Sequence, residues 1–159
     1  MKTFQVSLLV SACILATLSL LADGQTLEPK KKRDRCDYEQ PTCGICGRKI
    51  NVTIIATNSL QGDNFELTVP IIREHKRNLL SFLQQAAELE NGFKFQATYF
   101  ANLGYYIDSI NGVRASPENK TYWQISSDGV SLQCGVSSYV PKNEDVILFN
   151  FTTYQNAGY

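Results

Sequence analysis

Asn78-Leu79-Leu80-Ser81-Phe82-Leu83-Gln84-Gln85-Ala86-Ala87-Glu88-Leu89-Glu90 carries apolar residues every three to four positions and is closed by Asn91-Gly92. Leu79, Leu80, Phe82, Leu83, Ala86, Ala87 and Leu89 share one side of a 3.6-residue period, with Gln84, Gln85 and Glu88 between them. That spacing predicts an amphipathic helix over Asn78–Glu90. Asn91-Gly92 is read as its left-handed cap.

On both sides of this helix the period falls to two. Ile50, Val52 and Ile54 alternate with Asn51, Thr53 and Ile55, Gly62-Asp63-Asn64 makes a turn, and Phe65-Glu66-Leu67-Thr68-Val69 returns. Pro70 ends this second strand or marks it as an edge. After the helix, Phe93-Lys94-Phe95-Gln96-Ala97, Tyr105–Ile110, Thr121–Ile125 and Val146–Thr152 read as strands. Turns at Asn111-Gly112, Ser116-Pro117, Asp128-Gly129 and Lys142-Asn143 separate them. Hairpin, helix, then several strands implies an α+β class: a β-grasp-like sheet with one amphipathic helix packed on it, stabilised by disulfides.

Ahead of this body, expected over residues 48–159, stand two segments of other character. Met1-Lys2, an apolar run from Phe4 to Leu21 and small residues at Ala22 and Gly24 read as a secretory signal peptide over residues 1–24. Residues 25–47 form a polar, basic lead with Pro29, Pro41 and the run Lys30-Lys31-Lys32-Arg33, which resembles a proprotein-convertase site and equally suits a solvated linker. No second apolar run is long enough to span a membrane, so the mature chain is expected to be soluble and extracellular. The formal net charge is +0, which gives no electrostatic footprint for nucleic acid.

Cys36, Cys43, Cys46 and Cys134 remain once Cys13 leaves with the leader. An even set in a secreted chain favours two disulfides, of which three pairings are open. Cys43-Gly44-Ile45-Cys46 also admits a zinc or redox reading. Sequons stand at Asn51, Asn119 and Asn150. Alternation turns Asn51 and Asn150 outward, and with Asn150 outward Ile147, Phe149 and Phe151 point inward.

Little here suggests catalysis. His75, within Arg73-Glu74-His75-Lys76-Arg77, is the only histidine and has no motif around it that would make it a base. No nucleophile elbow, P-loop, dinucleotide fingerprint or zincin motif occurs, so an enzyme and a catalytic cofactor are not expected. Leu103-Gly104-Tyr105-Tyr106 and Thr121-Tyr122-Trp123-Gln124 instead join ring surface to polar groups, as a ligand-facing surface needs and as β-core packing also provides.

The same segments carry a resemblance. Phe93-Lys94-Phe95 after a Leu-rich helix, then Gly104, Ser109-Ile110-Asn111, Lys120-Thr121-Tyr122-Trp123-Gln124, Gly135-Val136, Tyr139, Pro141 and Asn150-Phe151-Thr152 with Tyr154 follow one another in order. This run resembles the C-terminal β domain of the cobalamin carriers, the transcobalamin, intrinsic factor and haptocorrin family. The resemblance implies a secreted, stand-alone transcobalamin-like domain that binds cobalamin or another corrinoid and carries it. In the family, a larger α/α-barrel domain supplies most of the site. The resemblance therefore also implies, as partner, a separate α/α-barrel-type protein or a cell-surface receptor. It places ligand contacts on Asn102-Leu103-Gly104-Tyr105-Tyr106-Ile107 and on Trp123-Gln124-Ile125-Ser126-Ser127-Asp128-Gly129-Val130-Ser131-Leu132. Trp123 and Leu132 would offer apolar contact, and backbone groups at Gly104 and in Ser126–Val130 would bond corrin amides. The other reading keeps the scaffold as an extracellular interaction or matrix module without cobalamin.

Overall fold

The computed structural model describes residues 48–154, all within one compact unit. The signal peptide, the lead segment, the Lys30–Arg33 run, Cys36, Cys43 and Cys46 lie outside the described residues. The elements in order are β1 (Lys49–Asn58), β2 (Phe65–His75), α1 (Leu79–Leu89), β3 (Phe95–Phe100), β4 (Gly104–Ile110), β5 (Val113–Arg114), β6 (Thr121–Ser127), β7 (Val130–Ser131) and β8 (Asp145–Thr153). Among the described residues the class is α+β, mostly sheet with one helix.

The strands form two sheets, not the one that the alternation suggested. Five strands run in the order β2-β1-β8-β6-β7, and three more in the order β3-β4-β5. β1 and β8 lie side by side and parallel, Ile54 opposite Ile147 and Ala56 opposite Phe149, while β2 and β6 flank them antiparallel. Their inward residues, among them Val52, Ile54, Ile147, Phe149 and Phe151, are buried with the helix face of Leu79, Phe82, Leu83 and Ala86. Each such large side chain withdrawn from water stabilises the fold by about 1.5–3 kcal/mol.

Pro70 marks an edge and does not end the strand. β2 is the outermost strand of its sheet, so the missing N–H faces away from β1, and pairing continues to His75 opposite Lys49. The helix begins as its sequence signals, with Asn78 as the N-cap and its Oδ1 accepting from the Ser81 backbone N–H. Its end differs from expectation. Glu90 is extended at the C-cap (φ −126), and Gly92 does not take a left-handed conformation. The turn is closed instead by Phe93 N–H on the Glu90 carbonyl and Gly92 N–H on the Glu90 carboxylate, which delivers Phe93 into the core. The following strand accordingly starts at Phe95.

Two helix donors have an unusual destination. Leu79 N–H bonds the Tyr139 carbonyl at 2.8 Å and Leu80 N–H the Val136 carbonyl at 2.9 Å. First-turn donors have no partner inside the helix. Here they fasten the loop Gly135–Tyr139 to the core, and that loop positions the site.

A cleft along the free edge of β6

β6 and β7 are joined by Asp128-Gly129, both with positive φ (49 and 80), the geometry of a tight two-residue hairpin turn. β7 is short and pairs only with Ser126 and Ser127. One further bond, Leu132 N–H to the Ile125 carbonyl at 2.9 Å, keeps the chain beside β6 before it departs. The edge of β6 from Tyr122 to Ile125 therefore faces a cleft of about 240 Å³, walled on its far side by Ser131, Leu132, Gln133 and Cys134. Its exposed surface is mostly polar, with the Leu132 side chain as an apolar wall.

Trp123 serves this cleft less than the sequence suggested. Its ring is 5% exposed, packed against Phe151 (5.0 Å between centroids) and Phe65 (6.3 Å), with Nε1–H donated to the Val113 carbonyl. Ser127 is also turned inward, its hydroxyl bonded to Asp145 and Tyr139, and Ile107 is buried. Gln124, Ser131 and Leu132 line the cleft with Tyr122, while Gly129 and the 69%-exposed Val130 project at the turn beyond it.

The other stretch is tied to the fastened loop, which follows the cleft wall Ser131–Cys134 in the chain. Tyr105 N–H donates to Ser137 Oγ at 2.8 Å, and Gly135 lies under the Leu103 and Tyr105 carbonyls. Gly104 has φ +78, and a Cβ there would lie 2.5 Å from Ser137 Oγ and 2.7 Å from Ser137 Cβ. Only glycine meets both demands. Aromatic rings make a second link. Tyr122 stacks on Tyr154 at 4.9 Å and 8° between planes. Burial pushes the neighbouring Tyr106 phenol above its ordinary value, with Tyr154 and Asp108 adding to the shift, so this group stays a neutral donor beyond neutral pH. Asn102 and Leu103 sit at the exposed tip of the β3–β4 hairpin with Tyr99 and Phe100.

Gln133 and Cys134 line the cleft and Ser137 ties Tyr105 to the loop beyond it; of the three, the sequence had marked only Cys134, and as a disulfide candidate. A second, larger concavity of about 460 Å³, beside Lys94, Gln96, Ser109 and Arg114 on the three-stranded sheet, includes neither stretch. Among the described residues no group of three or more His, Cys, Asp or Glu could hold a metal ion. No described helix is long and apolar enough to cross a membrane.

Residues 77–153 match a family model described as a domain of unknown function (DUF4430). The chain is 34% identical over 149 residues to the cobalamin binding intrinsic factor of Mus musculus, covering 82% of this chain and 36% of that protein. With the Homo sapiens protein of the same name it shares 35% over 108 residues, 65% of this chain and 26% of that one. The chain thus spans about a third or less of the length of these relatives. The crystal structure of haptocorrin in complex with Cbi superposes with a TM-score of 0.56 at 23% identity, over 69% of this chain and 26% of that one, a likeness of fold.

Proposed function

We infer from the chain's homology to the C-terminal region of cobalamin-binding intrinsic factor that it is a corrinoid-binding domain, which holds one edge of its ligand in the β6 cleft. The observation that carries this reading is the 34% identity over 82% of the chain to a protein that binds cobalamin. The geometry supports it. The stretch Trp123–Leu132 contributes to the cleft directly, and Asn102–Ile107 is tied through Ser137 to the loop that follows the cleft wall in the chain. The cleft offers amide, hydroxyl and strand-edge groups, and no imidazole lines it. Such groups suit the amide periphery of a corrin ring and leave the cobalt alone.

Size sets the expected strength. A site of 240 Å³ is smaller than the ~300–1,000 Å³ that encloses a drug-sized ligand, and a corrinoid is larger still. One face of the ligand stays open, so affinity in the micromolar range, about −8 kcal/mol, is expected of the chain alone. The exposed Tyr99, Phe100 and Leu103 on the β3–β4 hairpin suit a second protein surface closing over the ligand, an α/α-barrel-type partner or a receptor. The same residues favour the alternative of an interaction module without cobalamin.

The strand order β2-β1-β8-β6-β7, with parallel central strands and the helix on one face, supports a β-grasp-like sheet. Cys134 is disulfide-bonded, and every other cysteine lies outside the described residues, which supports a bridge from the lead segment to the cleft wall. Extracellular carriage without catalysis agrees with the leader and with the absence of an acid–base motif.

Absorbance titration with cobalamin tests the reading. Saturable binding is expected for the wild type, and at least about tenfold weaker binding, ~1.4 kcal/mol, for Gly104→Ala, whose methyl would displace Ser137. A flat titration to about 1 mM, beyond ~−4 kcal/mol, would remove cobalamin as ligand. Equal affinity of the two proteins would separate Asn102–Ile107 from the site.

A further inference from the structure

The three sequons occupy very different surroundings. Asn51 stands where the β1–β2 register slips, between Ile50 and Val52, and all four of its polar groups are engaged. Its backbone N–H donates to Asn143 Oδ1 at 2.9 Å, and its carbonyl accepts from Glu144 N–H at 2.8 Å. In the side chain, Nδ2 donates to Glu144 Oε1 at 2.9 Å and Oδ1 accepts from Arg73 N–H at 2.9 Å. Arg73 (φ 57) and Glu144 (φ 65) both hold left-handed conformations that cost non-glycine residues energy. Asn51 is thus a clasp between β1, β2 and the turn into β8, and it holds two strained residues.

Asn119 is the opposite case. It is exposed in the turn Pro117–Lys120. Its backbone N–H bonds Ser116 Oγ, and no side-chain bond is found for it among the described residues. Asn150 falls between these extremes, mid-strand in β8, with Oδ1 accepting from Thr57.

We propose that Asn119 is a glycan-bearing asparagine and that Asn51, despite its sequon, is a folding clasp that the native protein keeps unmodified. The proposal rests on the secretory reading. Glycosylation joins a sugar C1 to Nδ2, breaks the C1–O bond to the diphosphate of a lipid-linked oligosaccharide and releases one Nδ2 proton. At Asn119 the new ring extends into solvent. At Asn51 it is attached to the atom that lies 2.9 Å from the Glu144 carboxylate, beside the Arg73 main chain. A chain modified there keeps one Nδ2 proton, but its sugar has to occupy the space that Glu144 and the Arg73 main chain take in the clasp. Folding therefore selects the unmodified form, and Asn51 acts through its amide.

The test is glycopeptide mass spectrometry of the full chain secreted from a eukaryotic cell. A heterologous leader in a parallel culture lets a failure of the native leader be told from a failure of the proposal. Glycan is expected on Asn119 in most molecules and on Asn51 in almost none. Thr53→Ala destroys the sequon without touching the Asn51 side chain, and is expected to leave the glycan mass unchanged. Asn119→Gln should remove one glycan and leave the melting temperature of the deglycosylated protein within about 2 °C, whereas Asn51→Gln should remove none and lower it by roughly 5–10 °C. Comparable occupancy at Asn51 and Asn119, or a loss of glycan mass in Thr53→Ala, overturns the proposal. So does an Asn51→Gln protein as stable as the wild type.

Discussion

Alanine at Asp145 is expected to lower the stability of the domain by about 3–5 kcal/mol, a large part of the 5–15 kcal/mol that such domains possess. Asp145 opens β8 and is 0% exposed. Its carboxylate accepts from the Tyr139 hydroxyl at 2.8 Å, from the Ser127 hydroxyl at 3.0 Å and from Lys142 N–H at 3.0 Å, with the Lys142 ammonium 3.6 Å away. A buried carboxylate is tolerated only with such company. Its removal takes this acceptor from the buried Tyr139 and Ser127 hydroxyls, and their desolvation penalties persist after the charge is gone. The cluster joins the end of β6, the start of β8 and the loop fastened to α1, so the cleft's supports should loosen together. Tyr139→Phe, which removes one donor, is expected to cost about 1.5–3 kcal/mol. Urea unfolding at neutral pH measures both. A loss below about 1 kcal/mol for Asp145→Ala would show that the cluster does not hold these elements.

The second large effect lies in the apolar core. Phe149 is 0% exposed in β8, flanked by Ala56 on β1 and Ile125 on β6. Phe149→Ala removes most of a ring from the middle of the sheet, where two neighbouring strands prevent collapse, and is expected to cost about 3–5 kcal/mol. Val146 on the same strand faces the other way and is 40% exposed, so Val146→Ala is expected to cost less than about 1 kcal/mol. The contrast tests the facing of β8 directly. Similar losses from both substitutions would mean that the outer face is covered as well.

That facing was legible in the chain. The sequon at Asn150 and the alternation around it turned Ile147, Phe149 and Phe151 inward, and all three are buried. The helix was legible because seven apolar residues repeat at its period. The partnership of β1 with β8 was not, since these strands are about 90 residues apart and nothing local specifies whom a strand pairs with. β5 and β7, two residues each, are too short to carry a period. For the same reason the split into two sheets was invisible.

At the proposed site, resemblance named stretches of chain and not the direction of each side chain. Trp123 was read as ligand contact, yet it shares the parity of Thr121 and Ile125 and turns into the core with them. Gln133 escaped notice, and Cys134 was read only as a disulfide candidate, because a cleft wall without secondary structure has no periodic signature. Ser137 could be found only through the space that Gly104 leaves for it.

The central claim, that a corrinoid edge sits along β6, is tested most directly by amide hydrogen exchange of the purified chain with and without saturating cobalamin. Slowed exchange is predicted at Tyr122–Ile125, Ser131–Cys134 and Leu103–Tyr105, with β2 unchanged. Exchange unaltered across those segments, or protection confined to the outer face of β1 and β2, would contradict the account.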